Sequence, residues 1–247
     1  MNVKLGLCSI SFRENSPEEI LQAMKKAGLT EIEWGSDVHA PQDQPEKLQQ
    51  LVRLQAQYQI NCCSYGTYFR IGRDDPAELG AYIAAAKTLG TKILRLWCGT
   101  KNSDLYTEEE KTQLFAQCRQ VAKLAEEAGV TVCMERHGNS YTNRGVAAYE
   151  LMQAVDHPHF RMYWQPNQAR TLEENLSSAQ LIAPYTVNIH VFNWTKTEKF
   201  PLAQAKETWK TYLSYFTADK NLLLEFMPDD QLTSLEAEAA ALKEIAT

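Results

Sequence analysis

Two kinds of hydrophobic spacing take turns along the chain. Short apolar runs with period-two alternation give way to longer stretches where apolar residues recur every three or four positions, the spacings of a strand and of an amphipathic helix. Val3–Ile10 reads as a first strand. Ser16-Pro17-Glu18-Glu19 then opens a helix with a serine cap, a proline in the first turn and a glutamate three residues after the cap. Ile20, Met24 and Ala27 form its apolar face, and Gly28 ends it. Glu31–Trp34 is a short strand, and a helix from Pro45 to Tyr58 leads to a strand from Ile60 to Ser64. Asp75-Pro76-Ala77-Glu78 predicts a second capping box, for a helix ending at Gly90, and Lys92–Trp97 the next strand. Thr107-Glu108-Glu109-Glu110 predicts a third box, before a helix with Leu114, Cys118, Val121 and Ala125 on its apolar face. After Gly129 follow a strand to Glu135, a helix near Val146–Val155, the strand Phe160–Trp164 and a helix near Leu172–Ile182. The strand Val187–Val191, a helix near Leu202–Phe216, the strand Asn221–Phe226 and a helix near Leu232–Ile245 complete the series.

Strands therefore begin near residues 3, 31, 60, 92, 131, 160, 187 and 221, each separated from the next by one βα unit. Eight such units in one chain predict a parallel sheet closed as a (β/α)8 TIM barrel, a single domain over residues 1–247. An open doubly wound sheet would favour a glycine-rich phosphate turn after the first strand. That turn is Ser11-Phe12-Arg13-Glu14-Asn15, with no G-x-G-x-x-G.

Composition narrows the function. With 44% hydrophobic residues the chain of 247 residues can bury a sizeable core, and a net charge of −6 argues against broad binding to nucleic acid. No apolar run approaches the ~18 residues of a membrane span, and Met1–Phe12 lacks the pattern of a signal peptide. The six cysteines form no C-x-x-C pair, which predicts reduced thiols and a cytoplasmic location.

In such a barrel the chemistry sits at the C-terminal strand ends. Glu135, Gln165, His190 and Glu225 end strands five to eight, so four oxygen and nitrogen donors should converge. That donor set suits a divalent ion of the Mn, Mg, Co or Zn type. Glu135 and Glu225 also supply the two carboxylates that acid–base proton transfer needs. His137, two residues after Glu135, points to the same side and is a candidate substrate contact. Arg95, in the middle of strand four, reads as a barrel-interior ion pair rather than a catalytic group. Trp34, Trp97, Trp164 and Trp194, with Tyr65, Tyr68 and Phe69, predict an aromatic rim that packs a small polyol, Trp97 and Trp194 being the candidate substrate contacts. Lys196 is a candidate anion or hydroxyl contact. With Asp229-Asp230 in the last loop, the balance favours an unphosphorylated substrate.

These residues resemble the xylose isomerase-like sugar (phosphate) isomerase/epimerase superfamily of metal-dependent TIM barrels. The resemblance covers nearly the whole chain and is most specific in L-A-E-E-A-G-V-T-V-C-M-E-R-H-G (Leu124–Gly138) and at the Ile189-His190 and Leu224-Glu225 strand ends. It implies metal ligands at Glu135, His190 and Glu225. The family's aspartate after strand six falls on Gln165, which brings no charge, so the divalent ion should be weakly held. Two substrate contacts of the ketose epimerase branch fall on Gln168, where a histidine is expected, and on Lys196, where an arginine is expected. The activity implied is isomerisation or epimerisation of a small sugar, polyol or sugar phosphate through an enediolate, with Glu135 and Glu225 as base and acid. The alternatives are a lyase on the same scaffold, dehydrating a cyclic polyol or acid, and a non-catalytic barrel that has lost its metal. The related DNA-repair endonucleases resemble the chain least, since five histidines and no basic groove do not build their multi-zinc site. The expected partner is a small carbohydrate, with no nucleic acid and no membrane; a homo-oligomer is compatible with the sequence.

Overall fold

The computed structural model describes residues 3–247. Eight parallel strands close in sequence order: β1 (Val3–Cys8), β2 (Glu31–Gly35), β3 (Asn61–Ile71), β4 (Ile93–Cys98), β5 (Thr131–Glu135), β6 (Phe160–Trp164), β7 (Thr186–Val191) and β8 (Lys220–Leu224). The ring is sealed by β1 against β8, from Val3↔Lys220 to Leu7↔Leu224. Around it lie α1 (Pro17–Ala27), α2 (Pro45–Tyr58), α3 (Leu79–Leu89), α4 (Glu108–Glu127), α5 (Gly145–Val155), α6 (Leu172–Ile182), α7 (Lys206–Leu213) and α8 (Leu235–Ala246). This is the (β/α)8 barrel that the strand spacing predicts. No described helix is long and apolar enough to cross a membrane.

The period-two pattern separates two cores. Ile32, Trp34, Leu94, Leu96, Val132, Met134, Ile189 and Val191 join the large apolar layer with the helices. Their alternate neighbours turn inward, where the apolar cluster is small: Cys8, Ile10, Cys133, Tyr163 and Leu223. The remaining interior is polar, with pairs between neighbouring strands. Ser64 Oγ donates to Glu33 Oε2 at 2.7 Å, and Asn221 Nδ2 donates to Asn188 Oδ1 at 2.9 Å.

Several local expectations are corrected. β3 runs to Ile71 rather than Ser64, because after a register shift it pairs again with β4 at Arg70↔Trp97 and Ile71↔Cys98. Asp75 does not form a capping box. Its Oδ1 accepts from Ala77 N at 2.9 Å, closing a 3-10 turn over Pro76–Glu78, so α3 starts at Leu79. A reciprocal box stands instead at Thr171 and Glu174. The stretch from Leu202 divides into a 3-10 turn, Leu202–Ala205, and a short α7. The aromatic rim is also smaller than expected. Trp34, Trp164, Tyr65 and Phe69 are buried away from the barrel mouth, because each occupies the outward position of its strand.

Candidate functional site

A cavity of about 740 Å³ opens at the C-terminal end of the barrel. Its walls include Glu135, His137, Gln165, Gln168, Lys196 and Glu225, with Trp97, Trp194, Tyr68 and Phe226 as the aromatic faces. His190 lies just beneath, fully buried. Its Nδ1 is 3.2 Å from Gln165 Oε1, 3.6 Å from Glu135 Oε1 and 3.6 Å from Glu225 Oε1. The four strand ends singled out in the sequence therefore meet around one imidazole nitrogen.

The orientation of Gln165 follows from its partners. Its Nε2 donates to Glu135 Oε1 and to the Arg136 carbonyl oxygen, both at 3.0 Å. Both partners only accept, so the amide nitrogen must face them and the amide oxygen must face His190. Three oxygen acceptors then surround Nδ1, which has at most one proton to offer. A cation among them would satisfy all four atoms. Separations slightly above 3 Å are those of donor atoms sharing one ion at about 2.1 Å. The other ring nitrogen, Nε2, has no hydrogen-bond partner and faces Glu33 Oε1 at 3.5 Å. A carboxylate on that side favours the tautomer that leaves Nδ1 free as a ligand.

Glu33 was not among the residues singled out by sequence, and it anchors the floor of the site. Arg95 donates through Nε to Glu33 Oε1 at 2.9 Å and through Nη1 to Glu135 Oε2. Trp97 Nε1 donates to the same Glu135 oxygen. All three charged side chains are buried. Gly66 is required here, since a Cβ would stand 2.6 Å from Glu33 Oε1 and 2.8 Å from Arg95 Nη2. The signal for Glu33 was present: E-I-E-W places it inward between apolar residues, on the same period that put Arg95 inside.

Charge also fits a divalent ion. Glu33, Glu135 and Glu225 against Arg95 leave two negative charges when His190 is neutral, as a metal ligand must be, and one when the imidazole, raised well above its ordinary value without an ion, is protonated; buried charge needs such compensation. The two cavity carboxylates are unequal. Burial pushes Glu135 up, but Arg95 outweighs it and holds the carboxyl far below its ordinary value. Glu225 is raised, by burial first and by repulsion from Glu135, against the pull of His190. Burial pushes the neighbouring Cys8 thiol up to about 12, so it stays neutral.

Above the floor, His137 stacks on Trp97 with centroids 4.4 Å apart, and Arg70 Cζ sits 4.1 Å from the same ring. Tyr68 lies beside Trp97, ring centroids 6.2 Å apart, and Arg13 Nη2 donates to its Oη at 2.6 Å. Neither Arg13 nor Arg70 stands out in sequence: Arg13 caps the 3-10 turn after β1, and Arg70 lies in the far end of β3, beyond the stretch that the pattern predicts as strand.

The family model described as a xylose isomerase-like TIM barrel matches residues 21–199. A 3-dehydroshikimate dehydratase of Bacillus anthracis is 24% identical over 176 residues, 65% of this chain and 60% of that protein's length. The crystal structure of the probable 3-DHS dehydratase of petrobactin synthesis from the same organism superposes with a TM-score of 0.81 at 20% identity, covering 97% of this chain and 98% of that one. The IolI protein with a bound zinc atom superposes with a TM-score of 0.74 at 17% identity, covering 98% and 96%.

Proposed function

The chain belongs to the xylose isomerase-like TIM-barrel family, and on that premise we propose that it is a metal-dependent enzyme moving a proton on the carbon next to a carbonyl of a small polyhydroxylated substrate. The observation that carries this reading is the convergence of Glu135, Gln165 and Glu225 on His190 Nδ1 beneath the cavity. These four residues would hold the divalent ion, which when bound polarises the substrate carbonyl and the adjacent hydroxyl.

The proteins' own groups divide the remaining work. Glu135, fixed by Arg95, Trp97 and Gln165, keeps its negative charge and its position. Among the described residues the Glu225 carboxylate is within ion-pair distance of His190 alone, so it is the group free to take and release a proton. Isomerisation returns that proton to the neighbouring carbon; in epimerisation the ionised Glu135 takes the proton from one face and a protonated Glu225 delivers one to the other. Trp97, Trp194 and His137 offer flat faces to the carbon skeleton, while Gln168 and Lys196 offer hydrogen bonds to its hydroxyls. Tyr68 and Phe226 help to exclude water.

A second reading, elimination of water from a cyclic polyol acid, begins with the same proton abstraction. It is favoured by the dehydratases among the relatives, with 24% identity in sequence and a TM-score of 0.81 in structure. Product analysis separates the two. Protein stripped with chelator and reloaded with Mn, Mg, Co or Zn is incubated in D2O with ketoses, aldoses and cyclic hydroxyketo acids and followed by NMR. Deuterium should enter at the carbon next to the carbonyl. An epimer or isomer identifies the first reading and a dehydrated product the second. Glu225→Gln should slow exchange about 10³-fold, the scale of a lost acid–base group. Exchange with none of these substrates would move the non-catalytic barrel to the front.

A further inference from the structure

Arg136 follows β5 and turns outward, with a side chain 1% exposed. Its Nη1 donates to the Gln165 carbonyl oxygen at 2.9 Å and to Asn175 Oδ1 at 3.0 Å, but its Nε has no partner. Among the described residues no carboxylate lies within ion-pair distance of it. A buried guanidinium without a counter-charge is costly. It also borders a second cavity of about 270 Å³, between the starts of α5 and α6, outside the barrel.

Three features of this second cavity favour an anion. Arg144 and Arg170 line it with Arg136, and Arg170 Nε is likewise without a partner. The first residues of α5, Gly145 and Val146, face it, and that helix has no side-chain cap to take up its free N–H groups. Glu173 and Glu174 oppose the three arginines but leave one positive charge in excess; Glu174 pairs through Oε1 with Arg170 Nη1 at 3.5 Å and accepts through Oε2 from Thr171 N at 2.9 Å.

We propose that this cavity binds a small phosphate-like oxyanion, held by Arg136, Arg144 and Arg170 at the uncapped start of α5. The site is separate from the proposed active site and does not depend on the reading of its chemistry. The two meet at Arg136, which borders both cavities and bonds Gln165 twice, through Arg136 Nη1 and through Gln165 Nε2. An occupied anion site would therefore stiffen the strand ends that carry Glu135 and Gln165.

The test is calorimetric titration of the full chain with inorganic phosphate in phosphate-free buffer, with the melting temperature as a second readout. Saturable binding is expected, with a rise in melting temperature. Arg170→Gln and Arg144→Gln, at partly exposed and exposed positions, should each weaken it about tenfold, the value of one charge-assisted contact. Lys196→Gln, in the barrel mouth, should leave the affinity unchanged. Absence of saturable binding, or binding unchanged in both arginine variants, overturns the proposal. Loss of binding in Lys196→Gln overturns it too, because the phosphate would then lie in the main cavity.

Discussion

Arg95 and Arg136 are buried guanidiniums at neighbouring strands, and their surroundings differ in one respect. Arg95 is clasped by Glu33 and Glu135, while Arg136 meets only neutral oxygens. Removing Arg95 would leave two carboxylates facing each other in the barrel floor. Arg95→Gln should therefore destabilise the protein by about 3–5 kcal/mol, the usual cost of breaking a buried pair. Urea unfolding of the metal-stripped protein measures this, and unchanged stability would remove the pair from the account. The same pairing sets an acid limit. Burial pushes Glu33 up, but Arg95, with His190 and Ser64, outweighs it and holds the carboxyl at about 2 against an ordinary 4.5. Since the folded value is the lower one, the stabilisation is complete above about 4.5 and is lost as pH falls toward 2. Unfolding free energy should drop across that window and drop less in Glu33→Gln.

At the level of elements, the helix caps and strand ends position the loops that line the site. Thr171 and Glu174 close a reciprocal box at the start of α6, and Asn175 in its first turn holds Asn167 N at 2.9 Å and Arg136 Nη1 at 3.0 Å. Thr171→Ala should cost about 1 kcal/mol in urea unfolding, with no loss if water replaces the cap. The eight strands were legible because short apolar runs alternate with helical spacing, and glycines mark the ends of α1 and α3, at Gly28 and Gly90. The end of β3 was not. Gly66 interrupts the alternation there, and the extension depends on pairing across the sheet: Tyr65 and Gly66 pair with both β2 and β4, and Arg70 and Ile71 pair with β4. Asp75 was misread for a related reason. A serine or threonine box and an aspartate turn share the same spacing, and which one forms depends on whether the acidic residue three positions on turns back.

On the scale of the whole molecule, closure of the barrel is what brings Glu135, Gln165, His190 and Glu225 together from four strands. Their positions at strand ends were legible before the fold was known. Glu33 and Arg95 were harder to read as partners of that cluster, because their contacts cross the barrel interior between β2, β4 and β5 rather than between neighbours in sequence. Gln165 is the departure on which the account turns. Its carbonyl oxygen is aimed at His190, so the set keeps four donors but loses one charge. The most direct test is the melting temperature of chelator-treated protein titrated with Mn, Mg, Co and Zn. A saturable rise with at least one ion is expected, lost in Glu225→Gln and reached at lower ion concentration in Gln165→Asp. No rise with any of the four ions would contradict a metal site at these four residues.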